Sequence, residues 1–269
     1  MDTYRKQISV DEYCEYIDNP AFIKARILYK YRDWSNPFHR SILINNRIYL
    51  ASPSSFEDEL DCNVPETFPT KEELPALFFE KSFSIIPYAD IQERMNWVLQ
   101  CCQNSPLADI TKRDEVVKQL KDLNDSTFGV LSLTANPRND RMWEKYGANH
   151  KGICFGFDKD KLFKVVGGGG PVIYTDNLPI IRNFVDDTMT QHIKRTFYKE
   201  RTKWEFEEEY RLHKRWPLDT PPSNDDRNIQ MLDNTIVEII LGSAMPEPYK
   251  DEVRDIVAKK RLRATIIEL

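Results

Sequence analysis

A chain of 269 residues that is 41% hydrophobic and 12% aromatic can bury a sizeable core, as one large domain or two small ones. With 38 basic against 43 acidic residues, a net charge of −5, it lacks the basic excess that general binding to nucleic acid calls for. Five cysteines with no C-x-x-C pair, a start without an apolar leader and no apolar run near the ~18 residues of a membrane span predict a reduced, soluble, cytoplasmic protein.

In chain order, "SVDEYCEYI" predicts a helix with Ser9 as its cap and acids in its first turn. "ILYKYR", residues 27–32, reads as a short strand or a helix end. "RIYLASPSSF" reads as a strand over Ile48 to Ala51 that runs into a Ser/Pro turn and the acidic loop "FEDELDCN". Residues 71–125 are expected to be helical, with "DIQERMNWVLQCCQ" and "TKRDEVVKQLKDLND" carrying apolar side chains at i, i+3, i+4 spacing and Thr111 and Asp114 resembling a capping box. "FGVLSLT" (128–134) and "ICFGFD" (153–158) predict buried strands on either side of a turn and a short helix. "KVVGGGGPVIYTD" predicts a hairpin turning on its four glycines. A helix is expected from Leu178 to Tyr198, with Ile181, Phe184, Val185, Met189, Ile193 and Phe197 on one side. "TIVEIILG" predicts a strand, residues 247–260 a helix and "RATIIEL" a closing strand. Helices and strands cluster rather than alternate, so the expected class is α+β: one domain over 1–269, with a mixed or antiparallel sheet core and a helical insertion around 71–125. The basic run Lys194, Arg195, Lys199, Arg201, Lys203 is expected to be a solvated helix face.

Three stretches could carry chemistry. "WEFEEEYRL", read as a strand, puts Trp204, Phe206, Glu208, Tyr210 and Leu212 on one face, mostly against a core. Glu205, Glu207, Glu209, Arg211 and His213 share the other, polar face. Carboxylates about 6.6 Å apart raise each other's pKa, and Arg211 would lower that of Glu209. Such a face suits a working carboxylate and also an ordinary wet sheet surface. In "RMWEKYGANHKG", Trp143 and Tyr146 share one side of a helical turn, and His150 follows with a pKa suited to proton transfer or hydrogen bonding. "LYKYR" places Tyr29, Lys30, Tyr31 and Arg32 together, a set able to clamp a phosphate or stack on a base. Ser52, Ser54 and Ser55 leave the next strand, where a hydroxyl can hold a ribose or simply serve the turn. The histidine spacings support no metal site, and the four glycines lack the Lys-Ser/Thr of a phosphate loop.

Taken in order, "LYKYR", "IYLASPSSFEDELDC", "FGVLSLT…RMWEKYGANHKGICFGFD", "RTKWEFEEEYRL" and "IILG" resemble a bacterial and phage-associated family, domain of unknown function 2971. The resemblance spans roughly 27–242. It departs at "FEDELD", where Glu57, Glu59 and Leu60 replace the family's Asn, Pro and Phe, while Asp58 and Asp61 fit.

The order Arg32, Ser52-x-Ser54, Glu207-x-Glu209 is also similar to that of mono-ADP-ribosyltransferases. That resemblance implies an enzyme that cleaves NAD or transfers its ADP-ribose, as a defence effector or toxin, with NAD as substrate and no metal. Glu209 would be the catalytic carboxylate, Glu207 would position the acceptor, and Arg32 would hold phosphate. Ser52, Tyr29, Tyr146, His150 and Trp143 would line the nucleotide site. A developing positive charge on a ribose calls for a fixed carboxylate. Two alternatives stay open: a non-enzymatic sensor or interaction module for a nucleotide or protein, and a Mg²⁺ nuclease using Asp58, Asp61, Glu207 and Glu209.

Overall fold

The computed structural model describes Tyr13 and residues 23–269, so the segment expected to be capped by Ser9 lies, apart from Tyr13, outside the described residues. The strands are β1 (Ile27–Arg32), β2 (Arg47–Tyr49), β3 (Glu66–Thr67), β4 (Phe128–Thr134), β5 (Ile153–Asp158), β6 (Gly169–Pro171) and β7 (Ile173–Thr175). There follow β8 (Ile181–Arg182), β9 (Tyr198–Glu200), β10 (Glu209–Arg215), β11 (Asn228–Gln230), β12 (Ile236–Leu241) and β13 (Thr265–Glu268). Seven of them form the central sheet, in the order β13-β12-β5-β1-β4-β10-β6. Its pairs are antiparallel except the β12–β13 edge, which is parallel. The fold is α+β with a mixed sheet. Among the described residues no helix is long and apolar enough to cross a membrane.

The near-continuous apolar runs of β4 and β5 are explained by burial on both faces. On one face Leu28, Leu131, Leu133, Phe155, Phe157, Leu212, Ile239 and Leu241 pack with Leu43, Leu162, Val166 and Val253 of helices Pro37–Ile44, Lys159–Val166 and Glu247–Lys260. On the other, Tyr29, Tyr31, Cys154 and Ile240 pack with Met142 and Trp143 of helix Asp140–Tyr146. The insertion comprises helices Leu74–Ile85, Ile91–Asn104 and Ile110–Ser126.

Four local expectations are corrected. The capping box is formed by Asp90 and Glu93; Thr111 instead gives its backbone N–H to Asp109, which caps the third insertion helix. The four glycines do not turn a hairpin. Lys164–Val166 finish a helix that ends at Gly167 with φ +119°, and Gly169 lies so close to β10 that a Cβ would sit 2.2 Å from the Arg211 carbonyl oxygen. β6 therefore joins the main sheet, while β7 pairs in parallel with β9. The helix expected from Leu178 begins only at Thr188, where Asp187 caps it, because Ile181 and Arg182 are taken up by parallel pairing with β3. Finally, Trp204–Leu212 is not one strand: a helical turn ends at Trp204, Glu205–Glu207 is a 3₁₀ turn, Glu208 is left-handed, and β10 starts at Glu209.

One irregularity positions the site. β1 pairs with β5 along its whole length but meets β4 only at Tyr29–Thr134. Farther along β4, Ala51 takes that place, exchanging two 2.9 Å backbone hydrogen bonds with Val130. Between these points β1 and β4 diverge, and a cavity opens.

Candidate functional site

The cavity has a volume of about 370 Å³ and is walled by Tyr29–Arg32 of β1, by Ser132 and Leu133 of β4, and by Tyr146, Lys199, Trp204, Glu207 and Glu209 opposite; residues 55–58 and Asp61 border it. Small-molecule sites of such size commonly lie where neighbouring strands part.

The wall of Glu207 and Glu209 is a buried ionic cluster. The Lys199 ammonium lies 2.7 Å from Glu207 Oε2, 3.1 Å from Glu209 Oε2 and 3.1 Å from Asp61 Oδ2. Arg211, fully buried, grips Glu209 with two hydrogen bonds, Nε to Oε1 at 2.8 Å and Nη2 to Oε2 at 2.9 Å. Its Nη1 donates to the Thr196 carbonyl, and Nη2 lies 2.6 Å from Asp61 Oδ1. The face of Glu209, Arg211 and His213 is thus buried rather than wet, which corrects the expectation of a polar outer surface. Tyr146 donates its hydroxyl to Glu207 Oε1 at 2.5 Å, and the Glu209 amide donates to the Tyr174 hydroxyl at 2.9 Å. The Trp204 ring lies between Lys145 and Lys199, 4.8 and 4.7 Å from its centroid.

The two carboxylates are held in different states. Burial raises the pKa of Glu207, against the pull of Lys199 and with the help of the Glu209 charge. Burial would also raise Glu209, but Arg211 and Lys199 outweigh it and hold that carboxyl well below the ordinary range. The difference follows from the partners: Glu209 has a guanidinium on both oxygens, and Glu207 shares a lysine and accepts from a phenol.

Across the cavity stand two basic side chains. Lys30 gives its ammonium to the Ser132 carbonyl at 2.6 Å, and Arg32 makes one long contact to the Tyr31 carbonyl at 3.4 Å. Among the described residues neither has a carboxylate within ion-pair distance. Burial, and then the neighbouring Arg32 charge, push the Lys30 pKa well below its usual value; burial brings Arg32 down to about 10, so it stays a cation at neutral pH.

Of the residues singled out in the sequence, Tyr29, Arg32, Tyr146, Glu207 and Glu209 meet at this cavity. Ser52 does not line it: its hydroxyl faces that of Ser54 at 3.2 Å, and Ala51 and Ser55 occupy the wall instead. Trp143 is a core residue that donates to the Pro137 carbonyl and meets Tyr31 edge-on; His150 stacks on it, away from the lining. Lys30, expected to share a phosphate clamp with Arg32, lines the cavity too; Lys199, Trp204 and Ser132 had no role here assigned from the sequence, and Asp61 had one only in the nuclease alternative. Lys199 was hidden in a basic run whose members are all paired: Lys194 with Asp186, Arg195 with Glu66, Arg201 with Glu205 and Lys203 with Glu200. Only Lys203 of that run is mainly exposed, so a solvated face describes it poorly. Among the described residues no group of His, Cys, Asp and Glu side chains is arranged to hold a metal ion. Asp61, Glu207 and Glu209 converge on the Lys199 ammonium.

No curated protein and no solved structure matches the chain. A family model described as "Protein of unknown function (DUF2971)" matches residues 142–212, which run from the helix of Trp143 and Tyr146 to Leu212 of β10; over that span, which holds both glutamates and Lys199, the chain is similar to the DUF2971 family.

Proposed function

We propose that the cavity binds a nucleotide of the NAD type and that Glu207 serves cleavage of its N-glycosidic bond. The observation that carries this reading is the pairing of opposites across one cavity: Arg32, a cation with no carboxylate partner among the described residues, with Lys30 beside it, against the buried carboxylate of Glu207. Unpaired cations at a pocket wall favour an anionic group such as phosphate. As the bond between ribose C1′ and the nicotinamide nitrogen breaks, its electron pair leaves with the ring, which departs as neutral nicotinamide. Positive charge then develops at C1′, and a fixed carboxylate stabilises it. The oxygen of water, or of a transfer acceptor, adds at C1′, and its proton passes to Glu207 and on to solvent. Glu207 takes this role rather than Glu209, because Glu209 is locked on both oxygens by the fully buried Arg211 guanidinium, whereas Glu207 is held only by the Tyr146 hydroxyl and an ammonium it shares. Tyr146 and Lys199 orient the Glu207 carboxylate.

Nicotinamide release from NAD tests the reading. Wild type is expected to release it, Glu207→Gln to do so about 10²–10³-fold more slowly, and Arg32→Ala to need more substrate. Absence of release by wild type would sink the cleavage step. Binding of NAD without release would favour the sensor alternative, to which the saturated ion pairs of the cluster are also suited.

A further inference from the structure

A second cavity, of about 430 Å³, adjoins the first; Phe56 and Asp61 line both. The first alone lies near the lower end of the roughly 300–1,000 Å³ typical of ligand sites, room for a mononucleotide-sized fragment. A dinucleotide needs more, and the adjoining space has a different chemistry. Arg215 stands at its wall, at the exposed end of β10, with its guanidinium 5.0 Å from the centre of the Phe128 ring. Its one hydrogen bond to a side chain runs to the neutral Asn124 Oδ1 at 3.1 Å, and among the described residues no carboxylate pairs with it. The guanidinium of this exposed residue lies over Phe128, and Arg planes stack on bases. Carboxylates outnumber cations around this cavity, which disfavours a second phosphate. Glu59, Asp122 and Asn63 instead offer acceptors to hydroxyl and amino hydrogens.

We infer that the second cavity receives the nucleoside end of a dinucleotide, its base on Arg215 and its ribose hydroxyls toward the carboxylates, while the phosphates and the reacting ribose occupy the first. The inference rests on the nucleotide reading of the first cavity and adds where the far nucleoside of the NAD-type substrate is held.

Calorimetric titration of the wild-type protein with ADP-ribose and with ribose 5-phosphate tests it, since neither ligand has a nicotinamide to lose. ADP-ribose should bind at least about tenfold more tightly, the range expected for one stacked base. Asp122→Trp, on an exposed stretch of helix, fills the second cavity, and Arg215→Gln removes the stacking plane. Both variants should weaken ADP-ribose binding by about tenfold or more and leave ribose 5-phosphate unchanged, with an unaltered melting temperature as the check on folding. Equal affinities in wild type, or variants that weaken both ligands alike or neither, would overturn the dinucleotide inference alone. If neither ligand binds wild type, the nucleotide reading of the first cavity falls and this inference falls with it.

Discussion

Glu207 and Glu209 are two residues apart and respond to pH in opposite directions. Glu207 has a raised pKa in the fold, so its contribution to stability is full below the unfolded value, near 4.3, and is lost as pH rises through the folded value. Glu209 is held low, so its contribution is present above that unfolded value and is lost as pH falls toward the folded one. Glutamine at 207 does not titrate. The melting temperature of Glu207→Gln relative to wild type should therefore rise as pH increases above about 4.3; a difference that stays flat across that range would contradict the raised pKa. Catalysis needs the same group as an anion, so the acid limb of any pH–rate profile should lie above the ordinary glutamate range and vanish in the variant. Arg211 makes a sharper case. Replacing it by Met leaves Glu209 and Asp61 buried against only Lys199, and should cost about 3–5 kcal/mol in urea unfolding. The two glutamates and Arg211 were legible as a cluster in the sequence because they are neighbours on the chain. Lys199 was not, because only the folded chain brings it there, and Asp61 had been grouped with the glutamates only as a metal ligand rather than as a partner of Lys199 and Arg211.

At the scale of elements, what was legible depended on whether a segment's neighbours are set locally. β4, β5 and helix Glu247–Lys260 follow their apolar patterns closely. The glycine run and the approach to β10 do not, since both are decided by contacts with other elements. Glu208 at φ +46° breaks a stretch whose alternation would otherwise suit a strand, and the break turns Glu207 toward Tyr146 and Lys199. Gly152 shows how such contacts reach the site. It precedes β5, and a Cβ there would lie 2.3 Å from the Arg32 carbonyl oxygen, a backbone atom of a paired strand with little room to move. Gly152→Ala should cost about 1–3 kcal/mol by overpacking. By shifting the end of β1 it should also weaken ADP-ribose binding through Arg32. Unfolding and titration of the one variant check both effects; unaltered affinity in a destabilised protein would show that Arg32 does not depend on this register.

For the whole molecule, the sheet and the insertion are built on different principles. The sheet's centre is a set of long-range strand pairs with fully buried Leu28, Leu131, Phe155 and Ile239. The insertion was legible as helical from the i, i+3, i+4 apolar spacing of its second and third helices, yet it buries little: Leu74 and Ser82 in its first helix, Arg94 and Val98 in its second. Ile91, Met95 and Leu99 of the second helix are exposed. Much of its support is local, from the Asp90–Glu93 capping box and from Arg94, which donates to the Pro87 carbonyl and the Ser82 hydroxyl. Local opening free energies follow buried apolar contact, so the insertion should open well below the free energy of global unfolding. Native-state hydrogen exchange should find amides of 74–126 exchanging faster than those of β4 and β5, and their protection should change little when ADP-ribose is added, apart from the Lys121–Asp125 end that borders the second cavity. Equal protection of insertion and sheet would mean that the two unfold as one unit, and the cavity between β1 and β4 would then owe its shape to the insertion as well as to the divergence of its own strands.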